Sequence, residues 1–286
     1  MKLQNITLKT MSSQRGLTLV ELMVALLIGL IIMWGVAKVF VSNRQTYATQ
    51  EGLARLQENG QYALNFITRH VRQAGYYPKT RFNVAESKIQ QEQWAFGNTK
   101  PITGVEGGGT LSDSLTLAYY TTATDCVGNG FPLGGAVGTQ GTTPAGEAAE
   151  IALNAFTIDT GAAGSPSLFC NGVEIAEGIE NLQIRYGTDT NNDGIVDSYV
   201  SFSAGLDITT VLTLQVALLV ETIQEISPDS DTKTYDLLGT TIGPVGDHRL
   251  RQVYGSTIKL RDRCAQIPVF PNGSAVSINS VNSPCS

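Results

Sequence analysis

Residues 17–41 read LTLVELMVALLIGLIIMWGVAKVFV, with Glu21 and Lys38 the only charged side chains. About 20 apolar residues cross the hydrocarbon core of a bilayer as a helix. The stretch therefore predicts a single membrane-spanning helix over 17–41. Residues 1–16 ahead of it carry Lys2, Lys9 and Arg15 and no acid, net +3. Basic residues hold their side of a span in the cytoplasm, so everything after residue 41 is expected on the other side of the membrane.

Glu21 is the residue that a plain membrane anchor does not explain. A carboxylate inside an apolar span costs about 2.5–3.5 kcal/mol on insertion scales when it reaches the membrane centre. A cleaved secretory signal peptide, with Gly35-Val36-Ala37 as its small-residue cut, has no more use for it. The run Arg15-Gly16-Leu17-Thr18-Leu19-Val20-Glu21-Leu22-Met23 closely resembles the class III signal of type IV pilins and type II secretion pseudopilins. In that family a dedicated peptidase cuts after the glycine and methylates the new N-terminus. The resemblance implies that 1–16 is a cleaved leader, that the cut falls between Gly16 and Leu17, and that Leu17 is N-methylated. It also implies that Glu21 pairs with the Leu17 amine of a neighbouring subunit, which offsets the cost of a buried lone carboxylate and sets register. The family usually has phenylalanine where this chain has Leu17. A start at Met11 would leave a leader of six residues.

The whole chain has 286 residues, 42% hydrophobic and 15% charged, with a net charge of −6. This composition excludes a disordered chain, a collagen-like repeat and a small disulfide scaffold. Charge is unevenly spread. Residues 17–75 carry five bases and three acids, net +2, and residues 76–286 carry 11 bases and 22 acids, net −11. The acidic body argues against direct nucleic-acid binding.

No proline occurs before Pro78, and Leu53, Leu56, Gly60, Ala63, Leu64, Ile67, Val71 and Ala74 recur every three or four residues. That spacing predicts an amphipathic stalk helix over 42–75, continuous with the apolar segment. A single helix from Leu17 to Ala74 would be roughly 85–90 Å long. The stripe is expected to pack on the sheet of the following domain, and His70 to be solvated. Pilins commonly carry a proline near the position that Lys38 occupies, so no kink is carried over.

Residues 76–286 are expected to form a β-rich periplasmic head. Alternating, β-branched runs at Ser114–Thr122, Glu150–Ile158, Ile179–Tyr186, Leu212–Thr222 and Ser256–Arg261 read as strands. Leu212–Thr222 is the most apolar and is expected at the centre of a sheet. Gly128–Gly146 reads as a long loop. The fold class is α+β: a pilin-like helix packed on an antiparallel sheet, with extra strands or a second sub-sheet to absorb the length. Cys126, Cys170, Cys264 and Cys285 form no zinc-type spacing, and an even count in an exported domain favours disulfides with three pairings open. The sequential pairs Cys126–Cys170 and Cys264–Cys285 are expected, the second stapling a Pro/Asn/Ser-rich tail.

The run Leu182-Gln183-Ile184-Arg185-Tyr186-Gly187 before an Asp/Asn-rich turn, together with Asp125-Cys126 and Phe169-Cys170, resembles the PilW family of minor pilins. J-type pseudopilins of type II secretion are its nearest relatives. The resemblance implies a low-abundance subunit near the pilus tip that helps initiate assembly. It implies other minor and major pilins, the prepilin peptidase, an inner-membrane assembly platform and a tip adhesin as partners. The expected location is the bacterial inner membrane, then the pilus. A membrane-anchored periplasmic binding module is the reading from a different class.

Residues 189–197, DTNNDGIVD, resemble the first nine positions of an EF-hand calcium loop. Its ligands would be Asp189, Asn191, Asp193, the Ile195 carbonyl and Asp197. Val200 stands where the bidentate glutamate belongs, and Asn-Asp-Gly equally signals a polar hairpin turn. Nothing points to catalysis. His248 follows Asp247, but no GxSxG elbow is present, and Gly107-Gly108-Gly109 is not followed by the Lys-Ser/Thr of a phosphate loop.

Overall fold

The computed structural model describes residues 16, 18–76, 100–120, 124–128, 151–191 and 193–260. Residues 1–15 of the expected leader, Leu17, the expected Gly128–Gly146 loop beyond Gly128, and Cys264 and Cys285 lie outside them. Helix α1 is Leu19–Val71. By internal contacts the chain divides into two compact units, 1–48 and 49–286.

The second unit holds the end of α1 and eleven described strands. These are β1 (Ile102–Val105), β2 (Ser114–Tyr120), β3 (Ile151–Thr160), β4 (Pro166–Cys170), β5 (Val173–Glu177) and β6 (Ile179–Thr188). They continue with β7 (Ser198–Val200), β8 (Val211–Glu221), β9 (Tyr235–Leu237), β10 (Thr240–Ile242) and β11 (Arg251–Lys259). The first five form an antiparallel meander in chain order. A second sheet runs β11-β8-β6-β7, and β9 and β10 make a separate hairpin. The class is α+β, with the expected second sheet.

α1 ends where its sequence provides for it. The Gln73 and Ala74 N–H groups bond back to the carbonyls of His70 and Val71, tightening the last turn. Gly75 then takes φ +79°, which costs glycine little. The helix stops three residues short of the expected Ala74, although Ala74 remains buried.

Leu56, Ala63, Leu64, Phe66, Ile67 and Val71 of α1 share one core with Leu115, Leu117, Phe156 and Leu168 of the meander. The same core takes in Leu182, Ile184, Tyr186, Leu214, Val216, Leu218 and Val220 of the second sheet. One helical stripe therefore covers the apolar faces of both sheets. The other face of β8 presents Ala217 and Leu219, which pack under Leu237 and Ile242 of the β9–β10 hairpin. With β6 on one side and β11 on the other, β8 is the central strand expected from its unbroken apolar run.

β7 pairs only with residues 186–188 of β6, leaving the first half of that edge open. Residues 110–113 fill it. Asp113 Oδ2 accepts the Ile184 N–H at 2.8 Å, Ser112 Oγ accepts the Leu182 N–H at 3.0 Å, and Asp113 N–H donates to the Leu182 carbonyl at 2.8 Å. A loop leaving β1 thus finishes the edge of the other sheet and ties the two together. Burial pushes the Asp113 carboxyl up, against the amides of Gly107 and Ile184 that favour its charged form.

His70 is buried, contrary to expectation. It lies three residues after Ile67 and four after Phe66, inside the apolar stripe, and a stripe this wide leaves no wet side at that position.

Arg251 is a second buried polar group, its side chain 1% exposed. It meets Glu180 at 2.6 Å, Glu221 at 2.8 Å, Asp231 at 3.2 Å and Asp247 through two contacts of 2.6 and 2.7 Å. Arg249 adds a 2.5 Å contact to Glu221. The guanidinium fork makes such divergent bonding possible. The Arg251 hydrogen bonds hold Asp247 below the usual carboxylate range, while burial pushes Glu221 up.

Two substitutions test this packing. Removing one partner from a buried ionic cluster leaves its counter-charges uncompensated, at about 3–5 kcal/mol. Arg251→Ala should therefore lower the melting temperature by roughly 10 °C, and Arg251→Lys, lacking the fork, should recover only part of the loss. At Gly60 an added Cβ would stand 2.6 Å from the Tyr254 ring. Gly60→Ala gains about 1 kcal/mol of helix propensity, but overpacking costs about 1–3 kcal/mol, so thermal denaturation should show net destabilisation, larger for Gly60→Val.

Candidate functional site

The first unit contributes the start of α1, where the sequence placed the processing and assembly residues. Thr18 caps the helix. Its hydroxyl accepts the Glu21 N–H at 3.2 Å and its carbonyl accepts the Leu22 N–H at 3.2 Å. Thr-x-x-Glu is the capping-box spacing, a local signal present in the sequence that the membrane argument had passed over. Glu21 sits in the first turn, where the positive helix end favours a carboxylate. None of the ion pairs among the described residues involves it.

From Leu19 to Val41 the large apolar side chains are exposed on every face of the helix, Leu19 at 75% and Met33 at 75% among them. The segment is long and apolar enough to cross a membrane and is not buried by any of the described residues. Its polar boundary is marked by Lys38, 5.3 Å from the centre of the Trp34 ring, and Arg44, 4.6 Å from that of Phe40. Both cations lie toward the end of the apolar run, where long basic side chains reach the interface.

The loop 189–197 joins β6 to β7. Asp189 is 2% exposed. Its two oxygens accept the N–H groups of Asp193 (3.3 Å) and Gly194 (2.8 Å). Asn191 Oδ1 accepts from Asp193, and Asp193 Oδ1 from Ile195. Asp197 Oδ2 accepts both the N–H and the hydroxyl of Thr190, at 2.8 and 2.6 Å, and these bonds hold its exposed carboxyl below the usual range. The acidic oxygens thus fold the turn by binding its own amides. Among the described residues no group of three or more His, Cys, Asp or Glu side chains is arranged to hold a metal ion.

Cys126 and Cys170 are joined by a disulfide, which ties the segment after β2 to the end of β4. Asn154 Oδ1 accepts the Cys126 N–H at 2.8 Å, and Asn171 bonds to Asp125 and to the Leu153 carbonyl. The Asp247-His248 pair forms no catalytic dyad. Asp247 is taken by Arg251, and His248 Nδ1 lies 3.1 Å from the Ser227 carbonyl.

Residues 155–262, from β3 to just past β11, match the family model of the type IV pilus-assembly protein W, PilW. Residues 11–37 match the prokaryotic N-terminal methylation motif and bracket Gly16, Thr18 and Glu21. A solved type IV-like pilin from Thermus thermophilus is similar at 11% identity and a TM-score of 0.41, over 73% of this chain and 97% of that one. No curated protein matches the chain. Two separate segments of the chain thus match known families, the PilW model in the head and the N-terminal methylation motif at the start of α1.

The turn can be tested separately from any cation. Asp189→Ala strands two amides, each worth about 1 kcal/mol or more, and should lower the melting temperature by several degrees. The drop should be equal with and without millimolar Ca²⁺. A calcium-dependent rise in the parent protein that Asp189→Ala abolishes would instead assign the loop to the metal.

Proposed function

We propose that this chain is a minor subunit of a type IV pilus, cut after Gly16, methylated on Leu17 and built into the filament through its apolar helix, in a tip complex that primes assembly. The observation that carries this reading is the pairing of two features on one helix start. An apolar surface exposed all round over residues 19–41 has no partner among the described residues. A methylation motif surrounds the one acid in that surface. Lipid can cover such a helix first, and neighbouring helices of the same kind can cover it in a filament. The acidic head stays outside the membrane by the same asymmetry of basic residues.

In this mechanism the chain contributes no bond-making groups. The peptidase supplies the chemistry at Gly16–Leu17, and the freed amine remains cationic after methylation. Glu21, one helical turn further on, offers the counter-charge. In a low-dielectric filament core an uncompensated carboxylate is costly, so docking is favoured only in the register that brings a neighbour's amine to Glu21. Work is supplied by a separate assembly ATPase. Other pilins, the peptidase and the inner-membrane platform are the partners this role requires.

Mass spectrometry of protein purified from its native membranes should find N-methylated Leu17 as the first residue. An N-terminus at Met1 or Lys38 would overturn the assignment. Glu21→Ala should leave cleavage intact while cutting incorporation into sheared filaments at least tenfold. Pili normal in number and subunit content would remove the pairing role.

A further inference from the structure

The buried histidine at the end of α1 is used by nothing in the assembly chemistry. His70 Nδ1 lies 3.1 Å from the Tyr119 hydroxyl of β2. Its ring is walled by Phe66 at 4.8 Å between centroids, Phe156 of β3 at 5.8 Å and Tyr119 at 6.2 Å. Its Nε2 has no hydrogen-bond partner among the described residues. A neutral imidazole fits this pocket, because it carries one N–H and Tyr119 can serve one nitrogen in either tautomer. An imidazolium carries an N–H on both nitrogens, so the second would be a cationic donor facing an apolar wall.

The groups that face the ring oppose its charge on balance. Burial first, and then Arg69 on its own helix, push His70 down to about 4, and only Asp125, in the segment after β2, acts the other way. Tyr119 is the titratable group of β2, and burial pushes its hydroxyl up, so it stays protonated. From β3 come Phe156 and the neutral amide of Asn154. Among the described residues of these elements no group is hydrogen-bonded to the second nitrogen.

We propose that His70 is an acid-sensitive latch: neutral, it holds the last turns of α1 against β2 and β3, and protonated, it frees the end of the helix from that sheet while the rest of the head stays folded. The sign follows from the two protonation states. A histidine free of the fold binds its proton near pH 6.5, and His70 in place does so only near 4. Between those values the opened form binds more protons than the closed form. The latch is therefore fully engaged above pH 6.5 and weakens as the pH falls toward 4. The open population should rise by on the order of tenfold by pH 5.

The test uses the full-length protein in detergent micelles. Hydrogen–deuterium exchange, corrected for the intrinsic pH dependence, should rise on the order of tenfold at residues 66–75 between pH 7 and pH 5, with β8 unchanged. In His70→Phe, which fills the pocket with an uncharged ring, that rise should vanish. If His70→Phe does not fold, His70→Gln serves the same comparison. NMR titration of the imidazole in the unaltered protein gives an independent reading. A ring that stays neutral to below pH 5 supports the latch. A ring that protonates near 6.5, or a pH-dependent rise that persists without His70, overturns it.

Discussion

The head depends on one arrangement, the burial of a single helical stripe between two sheets that would otherwise each expose an apolar face. The meander turns Leu115, Leu117, Phe156 and Leu168 inward, and the second sheet turns in Leu182, Ile184, Leu214, Val216 and Val220. Neither set is closed by its own sheet. Leu56, Ala63, Ile67 and Val71 of α1 close both. Each Å² of apolar surface removed from water in this way contributes about 25 cal/mol. Two glycines on the same helix let it come close enough, Gly60 beneath Tyr254 and Gly52 beneath Ile226.

Polar groups around the two sheets are organised to resist different insults. Asp113 and Ser112 satisfy backbone amides along an open strand edge and join the sheets. Arg251 draws acids from β6 and β8 and from the segments before β11 into one cluster. That cluster responds to acid in two directions. Asp247, held down chiefly by Arg251, contributes stability at neutral pH that is lost once the pH falls below the ordinary carboxylate range. Glu221, pushed up by burial, has the opposite sign, because protonation relieves a buried charge.

What the sequence revealed, and what it hid, follows from the range of the interactions. The apolar run 17–41, the helical spacing to Val71 and the central strand at Val211–Glu221 were all legible, because each is a long periodic signal within one segment. β1, β4, β5, β7, β9 and β10 were not, since strands of three to five residues carry little pattern and owe their pairing to a tertiary partner. β11 begins at Arg251, five residues earlier than the alternation at Ser256 suggested. Its first residues are polar, and Arg251 becomes an inward-facing strand residue only because four acids from elsewhere in the chain meet it. His70 was misread for a related reason: the residue type suggested solvent, and the stripe position decided otherwise. At the candidate site, the Gly16–Glu21 signal and the turn at 189–197 were visible, but the use of the turn's acids on its own amides was not.

The capping of α1 bears on why an acid is tolerated at residue 21 at all. A helix leaves its first four N–H groups without partners, and in or near lipid each costs free energy. Thr18 relieves one of them, at Glu21 itself. The remaining N–H groups make that end of the helix positive, and a carboxylate in the first turn gains about 0.3–1 kcal/mol from it. Moved one or two turns deeper, the same acid would lose that gain and approach the full cost of a charge in hydrocarbon. The helix end therefore lowers the cost of Glu21 without removing it. A residual cost of this kind is what the proposed pairing with a neighbour's cation would offset.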